Sequence, residues 1–92
     1  MKARLTKQRL RAIGPGPYVD YRGVAVEVLH VGQDAGSAAD VVIYRVLGNG
    51  AVLVEPLSEF AGIVQAFGER YWRFTALREP NLFFDIEEER AV

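Results

Sequence analysis

Along most of its length the chain alternates between two sets of residues. Val24, Val26, Val28 and His30 interleave with Ala25, Glu27, Leu29 and Val31. Period two in β-branched sequence predicts a strand, and because both sets are partly apolar the strand is expected to lie centrally or to curve. Asp40 to Leu47 repeats the pattern, with Val42, Tyr44 and Val46 on one face and Ile43, Arg45 and Leu47 on the other. Gly48-Asn49-Gly50 follows. These residues accept positive φ, so a hairpin turn is predicted, with a return strand over 51–54. Tyr18 to Tyr21 reads as a short strand before the turn at Arg22-Gly23. Tyr71 to Leu77 reads as another, with Trp72, Phe74 and Ala76 on one face. A last short strand is expected over 82–86. The small polar residues from Gly32 to Asp40 predict a loop with a mobile tip.

Two segments depart from the period of two. Pro56 cannot donate to a ladder and closes its strand. Ser58 then reads as an N-cap with Glu59 in the first turn, and Phe60, Ile63, Val64 and Phe67 fall at i, i+3, i+4 and i+7. That spacing predicts a two-turn helix, C-capped at Gly68, that plugs an open end of the sheet. Phe60, Phe67 and Phe74 are expected in the core. Near the start, Leu5, Arg9, Ala12 and Ile13 predict a short helix or irregular arm over 3–12, ended by the stiff Gly14-Pro15-Gly16-Pro17. The elements together predict a mainly β fold, a small SH3-like antiparallel barrel with one short helix. The expected organisation is a basic N-terminal arm over 1–14, the β domain over 15–78 and an acidic C-terminal tail over 79–92.

Composition narrows the classes. The chain has 92 residues, half of them apolar and a quarter charged, which suits one soluble globular domain. It has no cysteine, so disulfides, thiolate metal sites and cysteine nucleophiles are excluded. There is no apolar run of membrane-spanning length and no secretory leader pattern, so a cytoplasmic location is expected. A core this small, without covalent staples, gains from a packed barrel or from oligomerisation.

The net charge of −1 is a cancellation. Residues 1–13 carry Lys2, Arg4, Lys7, Arg9 and Arg11 and no acid. Residues 78–92 carry Arg78 and Arg90 against Glu79, Asp85, Glu87, Glu88 and Glu89. The basic arm suits contact with an acidic protein surface, its own or a neighbour's, or with phosphates. The tail residues Leu82, Phe83 and Phe84 suit docking to a partner, either through a sheet edge or within an oligomer.

The ordered set Tyr18, Tyr21-Arg22-Gly23, His30, Val41-Val42-Ile43-Tyr44, Leu53-Val54-Glu55-Pro56-Leu57, Phe60 and Arg73-Phe74 resembles the bacterial and phage family DUF1653 over about residues 15–77. The resemblance implies a small SH3-like β fold, and it implies no activity. Leu53 stands where the family favours Trp, and Glu55 where it favours Arg.

Catalytic patterns are weak. His30 is the only imidazole, Ser58 has a capping role, and Glu55 and Glu59 read as a strand exit and a helix start. No metal-ligand spacing and no phosphate loop is present, and no cofactor is expected. The stronger chemistry is aromatic residues beside arginines, which can hold a planar ring or a proline. The candidate ligand-binding residues are Tyr21, Arg22, His30, Tyr44, Arg45, Glu55, Trp72 and Arg73. The candidate partner-binding residues are Lys2, Arg4, Lys7, Arg9, Arg11, Leu82, Phe83 and Phe84. The expected function is a non-enzymatic binding or assembly module, phage or bacterial in origin, in a homo-oligomer or with a protein partner. A nucleotide or nucleic-acid binder is the alternative, and a small hydrolase-like enzyme the third reading.

Overall fold

The computed structural model describes residues 6–77. Helix α1 spans Lys7–Ala12 and strand β1 Gly16–Asp20. Strands β2, β3 and β4 span Ala25–Gln33, Asp40–Val46 and Val52–Pro56. A single helical turn, α2, covers Leu57–Phe60, followed by β5 Ile63–Ala66, β6 Glu69–Trp72 and β7 Phe74–Ala76. The fold is mainly β, with one antiparallel sheet in the order β4-β3-β2-β1-β7 and a separate antiparallel pair β5-β6. No described helix is long and apolar enough to cross a membrane.

The alternating strands form because their inward sets share one core. Tyr18 of β1, Val26 and Val28 of β2, Val42 and Tyr44 of β3 and Phe74 of β7 are all buried together. The register slips between Val28 and His30. This bulge explains why both faces of β2 are partly apolar, since it changes which set faces the core. Gly48-Asn49-Gly50 forms the expected turn. Gly50 has φ +75°, its N–H reaches the Val46 carbonyl at 2.8 Å, and Asn49 Oδ1 accepts from the Ala51 N–H. The connection after β2 is hydrogen-bonded within itself. Asp34 Oδ1 accepts from the Gly36 and Ser37 amides, and the Ala38 N–H reaches the Asp34 carbonyl at 2.7 Å. The amides of Ser37 and Gly36 hold the Asp34 carboxyl below its ordinary value.

The expected two-turn helix is corrected. The helix stops after Phe60, and Ile63 and Val64 belong to β5. Pro56 occupies the N-cap position and no side chain caps the turn, so Ser58 is not the cap. The break comes at Gly62, where a Cβ would lie 3.0 Å from the Ser58 carbonyl oxygen. The β-branched Ile63-Val64 pair then favours a strand. Phe67 and Gly68 have φ 54° and 77° and link the paired residues Ala66 and Glu69. That is the geometry of a two-residue hairpin turn. Phe67 is consequently 85% exposed, not in the core.

The expected strand 71–77 is likewise two strands, split at Arg73. The Arg73 N–H bonds the Gly62 carbonyl, extending the β5-β6 pair, while its carbonyl accepts from Tyr21 N–H, extending the β1-β7 pair. One residue therefore belongs to both sheets. Phe60 of α2 is fully buried at this corner, stacked on Phe74 with ring centres 4.1 Å apart and edge-on to Tyr18 at 5.4 Å. Burying a side chain of this size contributes about 3 kcal/mol.

The N-terminal segment shares the core. Ile13 is buried in it and Leu10 packs against it. The Tyr18 hydroxyl donates to the Gly14 carbonyl at 3.0 Å and accepts from the Gly14 N–H at 3.1 Å, clasping the chain between α1 and β1. Thr6 caps α1, its hydroxyl accepting from the Arg9 N–H. The expected strand over 82–86 lies outside the described residues.

Candidate binding surface

Three of the sequence-selected residues converge in one cluster. Tyr44 extends from the centre of β3, Glu55 from the end of β4 and Arg73 from the corner between the sheets. The Tyr44 hydroxyl donates to Glu55 Oε2 at 2.5 Å. Arg73 donates to both carboxylate oxygens, Nη1 to Oε1 and Nη2 to Oε2 at 3.1 Å, and Nη1 also reaches the Glu59 carbonyl at 3.3 Å. Burial, and then the adjoining Glu55 carboxylate, push the Tyr44 phenol up to about 12. The bidentate geometry satisfies both carboxylate oxygens inside the molecule. Its role is to hold β4 to the corner.

A second pair is also spent internally. Arg9 projects from α1 onto the body, with Nε donating to the Ala61 carbonyl at 3.1 Å and Nη2 to the Phe74 carbonyl at 2.5 Å. Its guanidinium lies 4.3 Å from the centre of the Trp72 ring. Burial holds Arg9 below its ordinary value. Lys7 and Arg11 of the same helix remain exposed. Lys2, Arg4, Leu82, Phe83 and Phe84 lie outside the described residues.

What remains outward-facing centres on Tyr21. Its ring stacks on Tyr71 with centres 6.4 Å apart and planes inclined by 24°, and both rings are exposed. The Arg22 guanidinium lies 5.7 Å from the Tyr21 ring centre. Asp20, buried at the end of β1, positions this arginine. Asp20 Oδ2 accepts from Arg22 Nη2 at 2.8 Å and Nε at 3.1 Å, while Oδ1 accepts from the Arg22 and Val24 amides at 2.8 Å each. Burial alone would push the Asp20 carboxyl up, but the two amides and the guanidinium outweigh it and hold it below the usual carboxylate range.

Arg45 and His30 lie elsewhere. Arg45 pairs with Glu27 on the outer face of the sheet at 3.6 Å, and His30 is exposed beside the β2 bulge. Tyr71 and Asp20 join the surface, although neither is among the candidate ligand-binding residues read from the sequence. Tyr71 could have been found from its alternation with Trp72, and Asp20 from the turn residues two and three places after it.

The described residues hold no group of three or more histidines and carboxylates placed to bind a metal ion. A cleft of about 180 Å³ opens between α1 and α2, lined in part by Leu10, Asp40 and Leu57. It is smaller than the roughly 300–1,000 Å³ of typical small-molecule sites.

Similarity to known proteins agrees with this architecture. A crystal structure of a DUF1653 protein from Bordetella bronchiseptica matches with a TM-score of 0.67 at 21% identity, over 74% of this chain and 91% of that one. At that identity the likeness shows the fold alone. No curated protein matches the chain. The family model described as a protein of unknown function, DUF1653, matches residues 16–76, two-thirds of the sequence, and the chain belongs to that family.

Proposed function

We propose that the protein is a non-enzymatic binding module that takes an extended segment of a protein partner against Tyr21, Arg22 and Tyr71. One observation carries this reading: two stacked tyrosines are exposed, with an arginine fixed beside them by a buried carboxylate. Exposed, prearranged aromatic rings suit proline and other apolar side chains, and the guanidinium suits the peptide carbonyls or acids beside them. The curled sheet, with its two ends joined through Glu55 and Arg73, supports reading the domain as an SH3-like barrel. The internal use of Arg9 weighs against the nucleic-acid reading, because it withdraws a central cation of the basic arm.

Selection of a displayed library of random linear peptides on the full chain tests the proposal. The expected result is a convergent family of peptides whose binding falls at least tenfold on Tyr21→Ala or Tyr71→Ala. Peptides that bind these variants as well as the parent chain would contradict it.

A further inference from the structure

The two sides of the five-stranded sheet end differently. At β7, Arg73 and Leu77 bond β1 through Tyr21 and Pro17, so Phe74 and Ala76 turn their peptide groups outward. Arg9 covers that side by donating to the Phe74 carbonyl. At β4, the Val46 N–H bonds the Ala51 carbonyl, and the register pairs Tyr44 with Leu53 and Arg45 with Val52. Alternation then turns the N–H and C=O of both Val52 and Val54 away from β3. Among the described residues no strand pairs with that side. Val52, Leu53 and Val54 are 54%, 43% and 62% exposed. Edges are normally protected by charged side chains, proline or a bulge. Val52, Leu53 and Val54 carry none of these, which begin only with Glu55 and Pro56 at the end of the strand.

We propose that this edge pairs with β4 of a second copy of the chain, antiparallel, about a two-fold axis through Leu53. The segment itself argues for that occupant. Val-Leu-Val reads the same in both directions, so the two-fold sets Val52 against Val54 of the second copy, Val54 against its Val52, and Leu53 against its Leu53. Each valine pair exchanges two main-chain hydrogen bonds, which satisfies all four free groups on each copy. The charges are compatible. Glu55 is neutralised by Arg73, and the Glu27–Arg45 pair lies inward of the joint, so no like charges meet across it. On the outer face, Val52 and Val54 of both copies form one apolar cluster bordered by Ile43, the β3 partner of Val54. A single short strand buries less than the roughly 800 Å² per partner of a standard stable interface. The association is therefore governed by concentration. It rests on Val52, Leu53 and Val54 and draws on none of Tyr21, Arg22 and Tyr71.

Sedimentation of the full chain over a range of concentrations tests for the pair, and a cysteine tests its register. The parent chain is expected to shift from monomer to dimer as concentration rises, and Val54→Lys to stay monomeric with an unchanged circular dichroism spectrum. The chain has no cysteine of its own. Facing residues outside the hydrogen-bonded pairs hold their Cα atoms about 4.5 Å apart, within disulfide range. Leu53→Cys is therefore expected to form a covalent dimer on mild oxidation, much faster than Leu47→Cys, an exposed position beside the β3-β4 turn. A parent chain that stays monomeric throughout, or Leu53→Cys that links no faster than Leu47→Cys, would overturn the proposal.

Discussion

Arg73 grips both carboxylate oxygens of Glu55, and this one pair joins the two ends of the five-stranded sheet. Glu55 closes β4 at one end of the strand order, and Arg73 leads into β7 at the other. Truncating Glu55 leaves a half-buried guanidinium and the Tyr44 hydroxyl without their acceptor. Glu55→Ala is expected to cost about 2–3 kcal/mol in urea unfolding, below the full cost of a deeply buried pair because Arg73 is partly solvated. Removing Arg45 from its exposed pair with Glu27 should cost less than about 1 kcal/mol. Equal losses for the two variants would refute the closing role.

Arg9 makes a second long-range tie. Arg9→Ala removes two hydrogen bonds to carbonyls and the contact with Trp72, so a loss of about 1–2 kcal/mol is expected. Trp72 is the only tryptophan. Its fluorescence should move to longer wavelength in the folded variant as water replaces the guanidinium. An unchanged spectrum would show that α1 does not dock through this residue.

Acid dependence follows from Asp20. Its carboxyl sits below the ordinary value in the folded state, so the unfolded chain takes up the proton first as pH falls. The stabilisation is fully present above the ordinary carboxylate range near about 3.9 and is lost as pH falls through the lower folded value. Asp20→Asn should flatten that part of the stability–pH curve, measured by urea midpoints.

Tyr44 sets the alkaline limb with the opposite sign. Its phenol is pushed up to about 12 in the folded protein. The unfolded chain releases this proton near the usual tyrosine value of about 10. Stability should therefore fall as pH rises from about 10 towards 12, and Tyr44→Phe should fall less steeply over that interval.

Phe67 tests the corrected hairpin. A large aromatic residue at φ 54° is strained where asparagine is well tolerated. Phe67→Asn should leave thermal stability unchanged or raise it by up to about 1 kcal/mol. Had Phe67 filled the core, as helical spacing suggests, the same change would cost several kcal/mol.

The strands β1 to β4 and the Asn49 turn could be read from the sequence because period two and turn chemistry are local. The segment after Pro56 could not. Phe60, Ile63, Val64 and Phe67 fit a helix by spacing, yet Gly62 interrupts the helix and the two β-branched residues after it favour strand, and nothing in the sequence marks Phe67 for positive φ. The cluster was partly legible. Tyr44, Glu55 and Arg73 stand out by their chemistry, but their convergence depends on the curl of the sheet. The place of Arg9 was hidden for a different reason: its acceptors are the main-chain carbonyls of Ala61 and Phe74, which carry no sequence signature.

The binding reading is tested most directly by nuclear magnetic resonance mapping of a selected peptide on the full chain, with a short single-stranded DNA as comparison. The expected result is amide shifts centred on Tyr21, Arg22 and Tyr71 with the peptide, and little change with the DNA. Shifts centred instead on Lys7 and Arg11, or produced by the DNA alone, would contradict it.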